Sequence, residues 1–509
     1  MHDRQELTRH SAVALRALLH AREISAVELL DACIARIEAL NPYVNAMTAT
    51  SFERARGEAR AADAALARGE ALGVLHGLPI GIKDLEETEG LLTTYGSPLY
   101  RSYVPTRDNT LVRRLRAAGA IVVGKTNVPE MGAGANSFNP VWGATGNPFD
   151  PSLNAGGSSG GSAAALALDM VPLASGSDTG GSLRIPAAKC GVVGLRPSPG
   201  LVPSDRKPLG WTPIAVVGPM ARNVEDAWLQ LAASVGQSAS DPLGYPFTMD
   251  PTMDGRVPAD PSTLRVGYTE DFGICEVDDD IRAVFRRKID ALRAHVAICE
   301  PIAVDFDDAH RCFDVLRAEA FVAGLQKAYE TDRDSLGPNP RANYEMGIGM
   351  GLADCVRAHG DQTRLFRHFQ ALFEHYDVIL SPTTPVSPFP WIQPYLKSVN
   401  GLTLENYYRW LSLTYVVTLT TNPALSLPCG VDHRGMPFGL QMIGAFRGDL
   451  ALLDAARAFE LLFASSSETC RPLPDVEKLR ASDVDLKSIV THPPVLDAAA
   501  SRDAAASAV

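Results

Sequence analysis

Apolar positions in this chain follow two rhythms that repeatedly change places. Leu30, Cys33, Ile34 and Ile37 recur at helical spacing, Ser25 and Glu28 precede them in capping-box order, and Asn41-Pro42 stand where the pattern lapses. The spacing predicts an amphipathic helix packed on the body and ending near residue 41. From Leu75 to Leu195, short apolar runs such as Gly77 to Ile82 and Ala120 to Val123 alternate with helical stretches such as Leu111 to Ala118 and Ser162 to Leu168. Strand and helix in alternation predict an α/β layer. Residues 237–260, rich in Asp, Pro, Gly and Ser, read as a loop or linker. Beyond them a strand is expected over 264–268 and helices over 280–294 and 309–329, with a break at Pro338-Asn339-Pro340. Residues 497–509 hold no large apolar anchor and read as a frayed tail. No internal repeat is evident.

With 46% apolar residues over 509 positions, a globular interior is possible throughout. Net charge is −12 and no long Lys/Arg block occurs, so nucleic acid and anionic membrane surfaces are not expected partners. The eight cysteines lack CxxC pairs or metal-type clustering, so free buried thiols and no metal are expected. The first residues lack the apolar core of a signal peptide, and no run reaches the ~20 apolar residues of a membrane span. A cytoplasmic protein is the expectation.

Candidate chemistry sits in two glycine-rich turns. Asn154 to Ser162 contains Ser158, and Ser177 to Pro186 contains Ser182, twenty-four residues later. Glycine lets backbone N–H groups converge and lets a side chain stand at the tip of a turn, as a serine nucleophile and its oxyanion hole require. A serine hydroxyl also needs a base, usually histidine, but none of the eleven histidines lies in these turns. His76, beside a Gly-Leu-Pro turn, reads as a packed or solvent-facing residue. Lys83 ends the apolar run Ile80-Gly81-Ile82, and burial there would favour the neutral amine that a base must be. Gly119 to Thr126 matches a phosphate-loop spacing, yet its four intervening residues are apolar and mostly β-branched, which suits a buried strand and not a loop whose amides wrap phosphate.

Lys83, Ser158 and Ser182, in this order and with these flanks, resemble the amidase signature family of serine hydrolases. The likeness extends through Gly124 to Asn127, Asn139 to Pro148, Cys190 to Pro197 and Gly218 to Arg222, and late in the chain through Tyr376 to Thr383 and Asn422 to Pro428. It implies an α/β fold with a large twisted mixed sheet covered by helices on both faces. It implies a Ser-cisSer-Lys triad in which Lys83 deprotonates Ser158, Ser158 relays the proton from Ser182, and Ser182 attacks the carbonyl carbon; the cis bond would be Gly157-Ser158. The oxyanion hole would be the backbone N–H groups of Thr179, Gly180, Gly181 and Ser182. Asp178 and Arg184 are read as holding this loop by hydrogen bonds and an ion pair.

The resemblance implies that the stretch Glu130 to Gly134, with Met131, Gly132 and Ala133, contacts the acyl side of the substrate. The small, uncharged residues after Glu130 suit a bulky apolar or aryl acyl group, in an amide, a carbamate (a urethanase-like activity) or an ester. The expected organisation is a helical region over 1–65, a core carrying the triad over 66–236, a substrate-selecting region over 237–375, the rest of the core over 376–490 and a flexible tail over 491–509. The resemblance implies no cofactor, a small-molecule substrate, and a monomer or homodimer. The alternatives are a catalytically inactive binding protein, against which all three catalytic positions are intact, and the competing branch of the family, the A-type subunit of tRNA-dependent amidotransferases, which works in a multi-subunit complex. That branch usually carries Asp-Gln-Ile-Gly-Pro where this chain reads Trp211 to Pro219, a departure favouring a stand-alone hydrolase. Lys189, before Cys190, is a second departure, expected either to touch the pocket or to bridge to an acidic neighbour.

Overall fold

The computed structural model describes residues 4–253 and 256–496. Its centre is one mixed sheet of eleven strands, numbered here in chain order: β1 (Met47–Thr50), β2 (Pro79–Lys83), β3 (Ile121–Thr126), β4 (Leu173–Asp178), β5 (Val193–Arg196), β6 (Val216–Ala221), β7 (Arg265–Tyr268), β8 (Ile298–Pro301), β9 (Val378–Pro382), β10 (Ala424–Val431) and β11 (Pro437–Ile443). Across the sheet they run β1-β3-β2-β4-β6-β5-β10-β11-β9-β7-β8. β2 is parallel to both β3 and β4, β7 is parallel to β8 and β9, and the strands between β4 and β9 pair antiparallel. Every residue of β2, β3, β6, β9 and β11 is buried. Because successive side chains of a strand point to opposite faces, unbroken burial means that both faces are covered. Helices supply that cover.

Five helices matter below: α1 (Ala26–Val44), α2 (Gly160–Ala167), α3 (Arg184–Cys190), α4 (Ala309–Asp332) and α5 (Pro338–Ile348). The Ser25/Glu28 capping box opens α1 as expected. The helix does not stop at Asn41-Pro42, however. Pro42 falls in the last turn, where its missing N–H forfeits one bond, to the Glu38 carbonyl, and burial outweighs that loss; Leu40 and Val44 are buried on either side of it, and Asn45 ends the helix at φ +49° with its N–H on the Asn41 carbonyl at 2.8 Å. Pro338-Asn339-Pro340 likewise is more than a break. Pro338 takes the first position of α5, where its fixed φ suits the helix and its absent N–H would have had no partner.

The loop expected over 237–260 holds no helix or strand among its described residues. Residues 491–496, assigned to the tail, lie along the core: the Thr491 and His492 amides donate to the Pro140 carbonyl at 3.0 Å, and Val495 donates to Arg101 at 2.8 Å. The tail over 497–509 lies outside the described residues. All eight cysteines are free, six of them buried. Among the described residues no helix is long and apolar enough to cross a membrane.

Candidate active site

Lys83 is the last residue of β2, and Thr179 to Ser182 follow the last residue of its parallel neighbour β4, so the two carboxyl ends meet at one edge of the sheet. Open α/β sheets bind ligands at such edges. Ser158 enters from the turn before α2, after a cis Gly157-Ser158 bond. Lys83 Nζ lies 2.8 Å from Ser158 Oγ and 2.8 Å from Ser177 Oγ. The Lys83 amide donates to Ser175 Oγ at 2.9 Å. Ser175 and Ser177 are two apart on β4 and therefore share a face, so one strand grips the lysine by both its backbone and its amine. The two serine turns are also tied to each other, since the Ser159 amide donates to the Ser182 carbonyl at 3.3 Å. Ser158 and Ser182 line the same cavity, of about 570 Å³.

Lys83 is fully buried, and burial lowers its amine from the usual 10.5 to about 7 despite the carboxylates of Glu86 and Asp178 nearby. A neutral amine there can accept the Ser158 hydroxyl proton. The next residue of β4, Asp178, faces the other way and does different work. Its carboxylate takes Arg184 Nε at 3.0 Å and Nη2 at 2.9 Å, and Arg196 lies 3.4 Å away; all three side chains have no exposure. Burial alone would raise this carboxyl, but the two guanidinium groups hold it well below the usual carboxylate range. It also accepts the Gly181 amide at 2.8 Å and the Leu183 amide at 3.2 Å, which fixes the turn around Ser182. Gly181 is required at this point. Its φ is +122°, and a Cβ would collide with the Thr414 side chain. Of the four expected oxyanion donors, Gly181 is thus engaged by Asp178, whereas the amides of Thr179, Gly180 and Ser182 have no protein partner among the described residues.

Met131 and Gly132 line the cavity, and Ala133 does not. Met131 and Gly132 both adopt positive φ, which turns the chain so that Ala133 is buried behind the wall with its carbonyl accepting from Asn339 Nδ2 at 2.9 Å. Lys189 meets neither expectation. It is buried under the rings of Phe389 and Trp410, 4.5 and 5.0 Å from their centroids, and donates to Asn154 Oδ1 at 3.1 Å. The Gly119 to Thr126 segment is the buried strand β3, whose Lys125 donates to the Glu86 carbonyl and to Thr88 Oγ1. His76 is buried and, like every other histidine among the described residues, does not line the cavity. No group of metal-ligating side chains occurs among the described residues.

Several wall residues had no reading in the sequence. Tyr95, Tyr100 and Tyr103 form an aromatic corner, with Tyr95 at 4.9 Å from Tyr100 and the hydroxyls of Tyr95 and Tyr103 both donating to Glu87. Arg206 covers the Tyr95 ring and pairs with Glu86 at 3.1 Å. Helix α4 presents Arg317, Ala320, Phe321, Gly324 and Leu325 to the cavity at helical spacing. Arg317, only 6% exposed, donates to Asn343 Oδ1 and to the Tyr407 hydroxyl and has no carboxylate partner among the described residues. That spacing of α4 toward the cavity was the available signal; the others come from loops remote in sequence.

The sequence profile of the Amidase family matches residues 28–453. The chain belongs to this family. It is therefore an enzyme acting on carbon–nitrogen bonds other than peptide bonds. The chain is 36% identical over 478 residues, 88% of its length and 97% of the relative's, to the A-type subunit of glutamyl-tRNA(Gln) amidotransferase from Acaryochloris marina (strain MBIC 11017). In structure it is similar to a bacterial aryl acylamidase of the amidase signature family, with TM-score 0.82, 26% identity, and coverage of 89% of this chain and 96% of that one. A protein from a complex bearing on the origins of an s-triazine catabolic enzyme matches with TM-score 0.82 and 29% identity over 91% of this chain and 100% of the other.

Proposed function

We infer that this amidase hydrolyses a small-molecule amide through an acyl-enzyme on Ser182. The observation that carries the reading is the buried Lys83 amine 2.8 Å from Ser158 Oγ, at the edge of the cavity that Ser182 also lines. Lys83 takes the Ser158 proton, Ser158 takes that of Ser182, and Ser182 Oγ bonds to the carbonyl carbon. The tetrahedral oxyanion is met by the free amides of the Thr179 to Ser182 turn, donors of a kind worth about 3 kcal/mol each. Collapse breaks the C–N bond, the proton returns along the same path to the leaving nitrogen, and water releases the acyl group. Neither a metal nor a cofactor has a step in this sequence.

The tyrosine corner and Phe321 support a flat, apolar or aryl group in the substrate, and Arg317, without a carboxylate partner among the described residues, offers a donor to an oxygen on it. Carbamates and esters would enter by the same attack. Selection is assigned to the 237–375 region because α4 forms one wall of the cavity. Thr212, Ala215, Val216 and Val217, within the stretch that departs from the amidotransferase pattern, form part of another.

A second reading, an A-type subunit of a tRNA amidotransferase working with partner chains, is favoured by the 36% identity to a protein of that name. A subunit feeding ammonia to another site must cleave a primary carboxamide, so the two readings part on substrate. The test is a panel of aryl amides, carbamates, esters and primary amides offered to the purified chain alone. Turnover of aryl amides carries the first reading. Cleavage of primary amides only, stimulated by partner subunits, replaces it with the second.

A further inference from the structure

A second cavity, of about 510 Å³, lies where the far end of α2 meets the far end of β6. The near ends of both elements adjoin the catalytic cavity, α2 through Ser158 and β6 through Val216. Four arginines line the second cavity, Arg9, Arg36, Arg222 and Arg471, against two carboxyl groups, Asp169 and Glu460. Asp169 is already shared, accepting from Arg222 and lying 3.8 Å from Arg36. Arg222 is further engaged by the carbonyls of Thr8 and His10. Glu460 receives the Val224 amide on both oxygens, at 3.1 and 3.2 Å, and burial pushes its carboxyl up to about 8, so it brings little negative charge at neutral pH. Arg471 makes no ion pair among the described residues, Asp169, Glu460 and Asp226 acting on it only from a distance. Its Nε donates to the Gly191 carbonyl at 2.7 Å, and its Nη2 is buried with no hydrogen-bond partner. An unmet N–H of a buried charged group costs its full desolvation, and the planar guanidinium fork matches the two oxygens of a carboxylate or phosphate.

We propose that this cavity is a second ligand site of the enzyme, taking a small oxyanion, phosphate or carboxylate, on the Arg471 fork with Arg9 and Arg36 beside it. Leu473 and Val476 on the wall leave room for a short hydrocarbon portion. The site is independent of the amide reading, because none of its residues lines the catalytic cavity.

Isothermal titration of the full chain with inorganic phosphate, and separately with succinate, against sodium chloride at matched ionic strength tests the site. The expected result is saturable binding of at least one of the two anions that chloride does not reproduce. Arg471→Gln should weaken the apparent Kd at least about tenfold, the loss of one charge-assisted hydrogen bond. Arg9→Gln, at an exposed residue, should weaken it several-fold and decides the matter if Arg471→Gln does not fold. Binding no different from chloride overturns the proposal. So does binding retained unchanged in both variants, which would place the anion elsewhere, as on Arg317.

Discussion

Replacing Lys83 tests the chemistry and the cost of housing it together. Moving the amine from 10.5 to about 7 raises its neutral fraction at pH 7 from about one in three thousand to about one half. On the proposed mechanism kcat/KM for an aryl amide rises about tenfold per pH unit up to the pKa near 7 and then levels. Lys83→Met should lower it by about 10² to 10⁴, the usual share of a general base, and abolish the rise. Lys83→Arg should not rescue, because guanidinium stays protonated. The same shift destabilises the fold. Between pH 7 and 10.5 the unfolded chain holds a proton that the folded chain has released, so stability rises with pH across that window, and below it the cost is complete, on the order of 5 kcal/mol. Lys83→Met removes this cost but strips Ser158 and Ser177 of a hydrogen-bond partner, at about 1 kcal/mol each. A net gain of about 2 to 3 kcal/mol at pH 7 is expected, read as a higher thermal midpoint. Near-normal amide hydrolysis by Lys83→Arg, or a rate flat from pH 5.5 to 8.5 (about 1.5 units to either side of the pKa near 7), would refute the assignment of Lys83 as the base.

Ser182→Ala should abolish labelling by a fluorophosphonate probe, and Ser158→Ala should cut the rate by orders of magnitude while substrate binding persists; labelling retained in Ser182→Ala places the nucleophile elsewhere. Asp178→Asn leaves Arg184 and Arg196 buried without a counter-charge, so the thermal midpoint should fall by the equivalent of about 3 to 5 kcal/mol, and an unchanged midpoint would contradict the role given to this carboxylate. Gly132→Ala puts a Cβ 2.9 Å from Leu85 Cδ1 and 3.5 Å from Ser158 Oγ at a φ of +70°, so kcat/KM should drop at least about tenfold; full activity would mean that this loop yields easily.

What the sequence disclosed was local. The runs ending at Lys83 and Val123, the helix opened by Ser25 and Glu28, and the two serine turns are each specified by neighbours a few positions apart, and the structure holds them where that spacing predicts. Lys83 and Ser158, far apart in sequence, could be joined in advance only through the family resemblance. What stayed hidden depends on contacts between remote segments. The counter-charges on Asp178 come from Arg184, six residues on, but also from Arg196 across the sheet, and Arg317 meets Tyr407 ninety residues away. Pro42 and Pro338 misled for a different reason. Proline is excluded from helix interiors, and both sit within one turn of an end. The family resemblance places Ala133 at the cavity, whereas the positive φ of Met131 and Gly132 turns the chain just before it and leaves it buried behind the wall.

Helix α4 offers a route to redesign. The groups proposed to do the chemistry are held by β2, β4 and the turns after them, where a one-residue slip would exchange the lysine grip of Ser177 for the ion clamp of Asp178. One wall of the cavity is a single helical stripe, residues 317, 320, 321, 324 and 325, that makes none of those contacts. Libraries confined to Ala320, Phe321, Gly324 and Leu325 can therefore vary the shape and polarity of the cavity while leaving the nucleophile and its base in register.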